Sequence, residues 1–224
     1  MKKLASAIFV AVSLVIPATA GAQIYVPVAP TTGANKQEIY LTNLRARPTF
    51  FFSKVYYPDR RPQEFGRFDL QPKQTVIEEL AGTPGAFKVI DSASPAVVAS
   101  SRLTGPEDVP SRRLPVFTSR DVVQARKKAI FQFFPLTDPH ASVAFVVLSV
   151  FGLTSHCSLA LSNDHGPIDT TKFTVPEVTA LAVVQLTETP RFFFAEVSCN
   201  RPFLVFAYQG AAPTAEIVGP SAVQ

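Results

Sequence analysis

Several residue types that build catalytic and cofactor sites are scarce in this chain of 224 residues. It has no tryptophan, one methionine, two cysteines and three histidines, and its ten glycines are scattered. It contains neither a glycine-rich phosphate loop nor a Gly-x-Ser-x-Gly nucleophile elbow. The axial methionine of a blue-copper site is missing as well, because the only methionine is Met1. We therefore predict no catalytic residue, no metal site and no cofactor, and expect a protein that is not an enzyme. A hydrolase without a recognisable motif stays an alternative.

The chain also lacks an apolar run long enough to span a bilayer, which takes about twenty residues. Its longest such stretch, residues 4–16, contains two serines and follows two lysines, and small residues come next at Ala20 and Ala22. This is the pattern of a secretory signal peptide that is cleaved after Ala22 or, alternatively, after Ala20. The pattern predicts export to the periplasm or the medium. An uncleaved N-terminal membrane anchor is the alternative.

Neither sign of charge dominates the rest of the chain, which has 19 basic and 17 acidic residues. Nucleic-acid binders concentrate positive charge on one face, so this balance predicts no nucleic-acid partner. Only residues 112–128 depart from the balance, with six basic residues and one acidic residue. This segment predicts a contact with an envelope protein or an anionic surface polymer, or else it is a solvated connector. Its basic residues are Arg112, Arg113, Arg120, Arg126, Lys127 and Lys128.

Phenylalanine and proline are abundant, with 19 and 20 residues respectively. Phenylalanine and valine favour strands, and frequent prolines favour short strands over long helices. Strand-like segments recur about every ten residues, which predicts an all-β sandwich or barrel. They are residues 37–45, 49–57, 65–70, 74–80, 86–90 and 96–103, and then 143–151, 157–162, 168–175, 180–187, 191–198 and 203–208.

The two halves of the chain repeat one pattern at an offset of about 105 residues. Phe68 and Phe173, for example, each precede a proline by a few residues, Pro72 or Pro176. We predict two tandem immunoglobulin-like β-sandwiches with one short connecting helix; one larger sandwich is the alternative. The expected division is a signal peptide at 1–22, a first sandwich at 23–104, a basic connector at 105–139 and a second sandwich at 140–224.

The connecting helix is predicted within residues 118–129. Thr118 or Ser119 would cap it, and Asp121 would lie in its first turn, where the helix dipole favours an acidic side chain. The apolar residues of this stretch would then face inward.

Cys157 and Cys199 are predicted to form a disulfide, because an exported chain with two cysteines folds in an oxidising compartment. Each alternates with apolar residues in its segment, so both side chains should point into the interior. The bridge would close a loop of about 42 residues, which chain-entropy arguments value at ~4 kcal/mol. Two buried free thiols are the alternative. His156 would point away from Cys157, so these two and His165 do not form a metal site.

Several motifs, taken in order, resemble those of a known group. Tyr25-Val26-Pro27 is followed by a glycine-containing loop, the sequence Ile-Tyr-Leu-Thr-Asn-Leu at 39–44, an aromatic strand, a Pro-Asp turn and Ala-Val-Val-Ala-Ser-Ser-Arg at 96–102. The chain resembles a loose group of uncharacterised exported bacterial proteins with paired immunoglobulin-like sandwiches, although the tryptophan often found before their Thr-x-Leu strand is missing. The resemblance implies a fold and export, and no reaction. Periplasmic assembly chaperones share this architecture, so a chaperone-like assembly factor is an alternative function.

Overall fold

The regular structure of the described residues is β throughout, apart from one short 3₁₀ helix, Ser119–Asp121. The computed structural model describes residues 21–29, 36–58, 60–80, 85–105, 111–133, 142–150, 153–176, 181–182, 193–210 and 216–224. This confirms the predicted all-β class. Among these residues, no helix has the length and apolar character needed to cross a membrane.

The strands fall into two series of nine. The first series is β1 (Ala22–Pro27), β2 (Lys36–Asn43), β3 (Thr49–Tyr56), β4 (Gln63–Leu70), β5 (Thr75–Leu80), β6 (Phe87–Ser92), β7 (Val97–Thr104), β8 (Arg112–Leu114) and β9 (Phe117–Thr118). The second series is β10 (Lys128–Phe133), β11 (Ser142–Ser149), β12 (Ser155–Asn163), β13 (Gly166–Val175), β14 (Leu181–Ala182), β15 (Phe193–Cys199), β16 (Phe203–Gly210), β17 (Glu216–Val218) and β18 (Ala222–Val223).

Four antiparallel sheets result, and their strand order repeats. Sheet 1 has the order β5-β2-β7-β8 and sheet 2 the order β4-β3-β6-β1-β9. Sheet 3 has the order β14-β11-β16-β17 and sheet 4 the order β13-β12-β15-β10-β18. Adding nine to each strand number of sheets 1 and 2 gives sheets 3 and 4. We call sheets 1 and 2 the N-terminal unit and sheets 3 and 4 the C-terminal unit.

Each unit has its own apolar core between its two sheets. In the N-terminal unit, Ile39 of sheet 1 belongs to the same buried cluster as Phe51 and Ile90 of sheet 2. In the C-terminal unit, Phe145 of sheet 3 belongs to one cluster with Phe131 of sheet 4. The arrangement within each unit is sandwich-like, since the alternating inward residues of two sheets fill the space between them.

A third apolar cluster joins the two units by packing sheet 2 against sheet 3. Its rings include Phe87 of β6 and Phe206 of β16, whose centroids lie 4.7 Å apart in an edge-to-face contact. Tyr208 lies beside them: its hydroxyl donates to the carbonyl of Val28 and accepts from the amide of Gly85 at 3.1 Å. Burial raises the pKa of Tyr208 well above its ordinary value. The sheets are therefore stacked in the order 1, 2, 3, 4, with sheets 1 and 4 outermost.

The segment predicted as connector contributes strands to both units. Strands β8 and β9 extend sheets 1 and 2, and β10 is an inner strand of sheet 4. The helix begins as predicted, with Thr118 as its cap and the Asp121 carboxylate accepting from the Thr118 amide at 2.6 Å. It ends at Asp121, and the expected continuation to residue 129 is wrong. Val123 instead forms a β-bridge to Phe203 that draws the chain into the C-terminal unit.

Candidate functional site

Cys157 and Cys199 form the predicted disulfide between neighbouring strands of sheet 4. They stand opposite each other on β12 and β15, with their Cα atoms 4.1 Å apart. Both side chains are buried in the core of the C-terminal unit, on the inner face of the sheet, as their alternation with apolar residues predicted. The bridge therefore fixes the register of two adjacent strands whose outer faces form the floor of a groove.

This groove, which we call the disulfide groove, is a shallow surface depression of about 550 Å³. Its lining combines cationic, hydroxyl and imidazole groups, and no aspartate or glutamate is found among the described lining residues. Anions and polyols are the ligand classes that such groups bind, because guanidinium and ammonium groups pair with acidic oxygens and hydroxyls both donate and accept. The polar side chains of the lining are Arg126, His156, Ser158, Lys172, Thr174, Ser198 and Asn200.

Strand register places four polar residues in one row across the outer face of sheet 4. Lys172 of β13 stands opposite Ser158 of β12, which stands opposite Ser198 of β15, which stands opposite Lys128 of β10. The two serine hydroxyls are 3.0 Å apart and share a hydrogen bond. Lys128 at the end of the row forms an ion pair with Glu196 at 2.6 Å. Lys172 is thus the cation of this row that remains available to a ligand.

Arg126 lies at the end of the groove because its backbone is fixed there. It has a left-handed φ of 64° in the turn before β10, and its amide donates to the carbonyl of Cys199 at 2.8 Å. The side chain is exposed. Within the described part of the chain, neither Arg126 nor Lys172 has an acidic side chain at ion-pair distance. The described lining of the groove therefore carries two positive charges without an acidic partner.

His156 and Asn200 shape the end of the groove next to Arg126. His156 Nδ1 lies 3.2 Å from Thr174 Oγ1, and its backbone amide donates to Asn200 Oδ1 at 2.9 Å. The imidazole faces solvent while Cys157 faces the core, as predicted for neighbours in a strand. His165 lies in the β12–β13 turn at the other end of the strand, and the described residues contain no group of three potential metal ligands.

The structure divides the six basic residues of the predicted contact among different surfaces. Arg112 and Arg113 lie in β8 of sheet 1, on the opposite outer layer from the disulfide groove. Arg120 is exposed on the 3₁₀ helix. Lys127 is exposed beside Arg126, and Lys128 is paired with Glu196. Of the six, Arg126 is the residue that lines the groove.

Sequence analysis missed Lys172, Ser158 and Ser198, which lie about 14 to 40 positions from one another and meet only through strand register. The signal for Lys172 was the alternation of β13, in which Lys172 and Thr174 point outward while Phe173 and Val175 point inward. A second missed surface lies on sheet 2, where Phe52 is 47% exposed beside Phe50.

No protein-family model matches the chain, and no curated protein matches it significantly.

Proposed function

We propose that this protein is exported and acts as a non-enzymatic binding or structural module built from two tandem immunoglobulin-like sandwiches. It binds an anionic partner in the periplasm or at the cell surface through the disulfide groove. The supporting observation is that Arg126 and Lys172 line the groove together with a pair of serine hydroxyls and have no acidic counterpart among the described lining residues. The repeated strand order of the two units supports the tandem arrangement.

The groove suits an acidic group carried on a polyhydroxylated chain. Its two cations supply charge-assisted hydrogen bonds to carboxylate, sulfate or phosphate oxygens. The hydroxyls of Ser158, Ser198 and Thr174 supply neutral hydrogen bonds to the neighbouring hydroxyls of such a chain. Because the groove is open and shallow, its contacts are exposed to salt, and binding should weaken steeply as ionic strength rises.

Binding is tested with three polymers of similar length: polygalacturonate, dextran sulfate and neutral dextran. The mature protein should bind the two anionic polymers and leave neutral dextran unbound. Through the disulfide groove, the double variant Arg126→Gln, Lys172→Gln should bind about a hundredfold more weakly, since each lost ionic hydrogen bond costs roughly 1.5 kcal/mol, or about tenfold in affinity.

The matched control is Arg45→Gln, Arg47→Gln, which removes the same charge from an exposed loop of the N-terminal unit. This control should retain nearly the affinity of the wild-type protein. Equal losses in both variants would show that only net charge matters, and an unchanged groove variant would exclude the disulfide groove as the binding surface.

Export is supported by the disulfide, which forms and persists in oxidising compartments. The two candidate cleavage points leave different products. Cleavage after Ala20 retains Gly21, whose missing side chain suits its position because an added Cβ would lie 2.6 Å from the Ser92 carbonyl oxygen. It also retains Ala22, which pairs with Ser92 in the β1–β6 register. The structure thus favours the cut after Ala20.

Intact mass and N-terminal sequencing of the fractionated protein test this assignment. A chain that begins at Gly21 and lies outside the cytoplasm is the expected result. A chain that begins at Gln23 would contradict the preferred cut alone, whereas a full-length chain in the membrane or cytoplasm would contradict export.

A further inference from the structure

Sheet 1 has a groove on the opposite outer layer of the molecule, which we call the paired-arginine groove. Its volume is about 570 Å³, close to that of the disulfide groove. Each of its described lining residues bears either a guanidinium group or a hydroxyl, and none is acidic. They are Tyr40, Ser100, Ser101, Arg102, Ser111 and Arg113. The Ser101 hydroxyl is buried and accepts from Gln37.

Two arginines stand directly opposite each other in this groove. Arg102 of β7 is the cross-strand partner of Arg113 of β8, and both side chains are exposed. Like charges at opposed positions destabilise an antiparallel pair. Within the described residues, neither guanidinium has a carboxylate at ion-pair distance; Arg102 donates instead to the hydroxyl of Ser111. The described part of this groove therefore holds two like charges at opposed positions, which an acidic ligand would offset.

Among the described residues, Glu38 is the acidic residue that strand register places beside this pair. It is the partner of Arg102 on the other neighbouring strand, β2. Its carboxylate instead accepts the hydroxyl of Tyr40 at 2.6 Å, a hydrogen bond that raises the pKa of Tyr40. An acidic group bound between Arg102 and Arg113 would relieve their repulsion, and the planar guanidinium forks match carboxylate and sulfate oxygens.

The two grooves offer the same chemistry on opposite layers. Each combines two cationic side chains with several hydroxyl groups. Sheets pack about 10 Å apart, so sheets 1 and 4 are separated by roughly 30 Å, with sheets 2 and 3 between them. A ligand segment short enough to fill one groove cannot reach the other through the protein. Two separate ligand chains can occupy them together.

We propose that the protein is bivalent and cross-links an anionic polysaccharide, with one polymer chain in the disulfide groove and another in the paired-arginine groove. This inference rests on the proposed function, because it assumes that the disulfide groove binds an acidic polymer. It adds a second site, Arg102 with Arg113, and a mechanical role. A molecule that bridges two chains tightens a polymer network. A molecule with a single site binds the polymer without linking its chains.

The test measures light scattering as the protein is titrated into polygalacturonate, and in parallel into dextran sulfate. Cross-linking should make scattering rise to a maximum at intermediate ratios of protein to polymer and fall when protein is in excess, because each polymer segment then holds its own protein molecule. The variant Arg102→Gln, Arg113→Gln should still bind the polymer by sedimentation but produce less than a tenth of the wild-type scattering. The variant Arg126→Gln, Lys172→Gln should behave in the same way, and the combined fourfold variant should lose binding.

Two further variants keep the test interpretable. Arg45→Gln, Arg47→Gln removes two exposed charges elsewhere and should scatter like the wild-type protein. Arg102→Lys, Arg113→Lys keeps the charge but removes the guanidinium fork, and it should give intermediate scattering. All variants should have the thermal midpoint of the wild-type protein or a slightly higher one, since the changed side chains are exposed.

Each of the remaining outcomes would refute one specific claim. Full scattering from Arg102→Gln, Arg113→Gln would refute bivalency but leave the proposed function intact. Full binding by the fourfold variant would refute both. Clustering of vesicles rich in anionic lipid, without binding to either polymer, would assign the grooves to a lipid surface and refute the polysaccharide proposal.

Discussion

In the C-terminal unit, Cys157 of β12 faces its disulfide partner Cys199 on β15, whereas at the corresponding place in the N-terminal unit Phe51 of β3 faces Ser92 of β6. The other neighbour of Cys157 is Phe173 of β13, and the corresponding neighbour of Phe51 is Phe68 of β4. The rings of Phe51 and Phe68 are stacked, with their centroids 5.1 Å apart. The covalent link between β12 and β15 thus has no counterpart between β3 and β6, and the ring contact of the N-terminal unit joins a different strand pair, β3 and β4.

The interiors of the two units differ in polarity as well. In the N-terminal unit, Gln37 is fully buried and Lys88 nearly so, and Lys88 forms an ion pair with Glu78. In the C-terminal unit, rings such as Phe133 and Phe193, 4.7 Å apart, fill the core. The comparison shows that topology does not dictate core chemistry. A buried amide or ammonium is tolerated where its partners are supplied, and replacing it changes stability in a predictable direction.

The largest expected effect comes from the disulfide. The variant Cys157→Ala, Cys199→Ala should lose about 4 kcal/mol of unfolding free energy, because the bridge closes a long loop and restricts the unfolded chain. Denaturant unfolding, combined with hydrogen exchange in β15 and β6, measures the loss and locates it in the C-terminal unit. Reduced wild-type protein is the matched sample and should behave like the variant. If β6 of the N-terminal unit lost as much protection as β15, the effect of the disulfide would not be specific to the C-terminal unit.

The next effect concerns the buried amide of the N-terminal unit. Gln37 accepts from the Ala29 amide at 2.7 Å and donates to the Pro27 carbonyl at 2.8 Å, while the corresponding residue of β11 is Val143, in an apolar core. Gln37→Val should cost about 1–3 kcal/mol of unfolding free energy, because it leaves buried backbone groups without partners.

The reciprocal change, Val143→Gln, should also destabilise, because the introduced amide has no such partners in the C-terminal core. Denaturant midpoints compare both variants with the wild-type protein. If Gln37→Val were at least as stable as the wild type, the polar interior would be incidental rather than structural.

A smaller effect tests the packing of the two units on each other. Tyr208→Phe keeps the ring but leaves the Gly85 amide and the Val28 carbonyl without their partner hydroxyl, at an expected cost of about 1–2 kcal/mol. Tyr40→Phe removes a hydroxyl from the exposed face of sheet 1 and is the control, with an expected change under about 0.5 kcal/mol. Thermal unfolding of both variants measures the difference. Equal midpoints would show that the Tyr208 hydroxyl does not hold the units together.

The smallest effect is a dependence on alkaline pH. Burial raises the pKa of Tyr25 from 10.0 to about 12, so its folded form holds the proton more tightly than the unfolded chain does. Its stabilising contribution is complete below pH 10 and declines as pH rises from 10 towards 12. Wild-type protein should therefore lose about 1 kcal/mol more than Tyr25→Phe between pH 9 and 11. Denaturant unfolding of both proteins at these two pH values measures the difference. Equal losses of unfolding free energy in the two proteins would contradict the prediction.

Sequence alone indicated the longer strands and the disulfide because those depend on local alternation. Strands β2 to β7 and β11 to β13 overlap the predicted segments, and both cysteines follow the inward pattern. Strands β8, β9, β17 and β18 have two or three residues, too few for a period to show. Strand β10 begins inside the segment predicted as helix, since the capping signal at Thr118 favours a helix through residue 129. The inward alternation of Ala129, Phe131 and Phe133 was the signal against it.

The site was less predictable because register, rather than spacing, assembles it. Arg126 stood out within a basic segment, but Lys172 belongs to a charge-balanced stretch, and Ser158 and Ser198 are forty residues apart. The packing of the two units on each other also has a signal in the sequence, which lies in β16. Strand β16 is buried at its first six positions, the pattern of a strand covered on both faces.

The most direct test of the account is an NMR titration of the isotopically labelled mature protein with short oligogalacturonates. We predict shifts of the amide signals around Arg126, Ser158 and Lys172, and separately around Arg102 and Arg113, with two ligands bound per protein. Shifts confined to the exposed Phe50 and Phe52 face of sheet 2, or no shift at low salt, would contradict the proposal that the outer grooves bind acidic polymers.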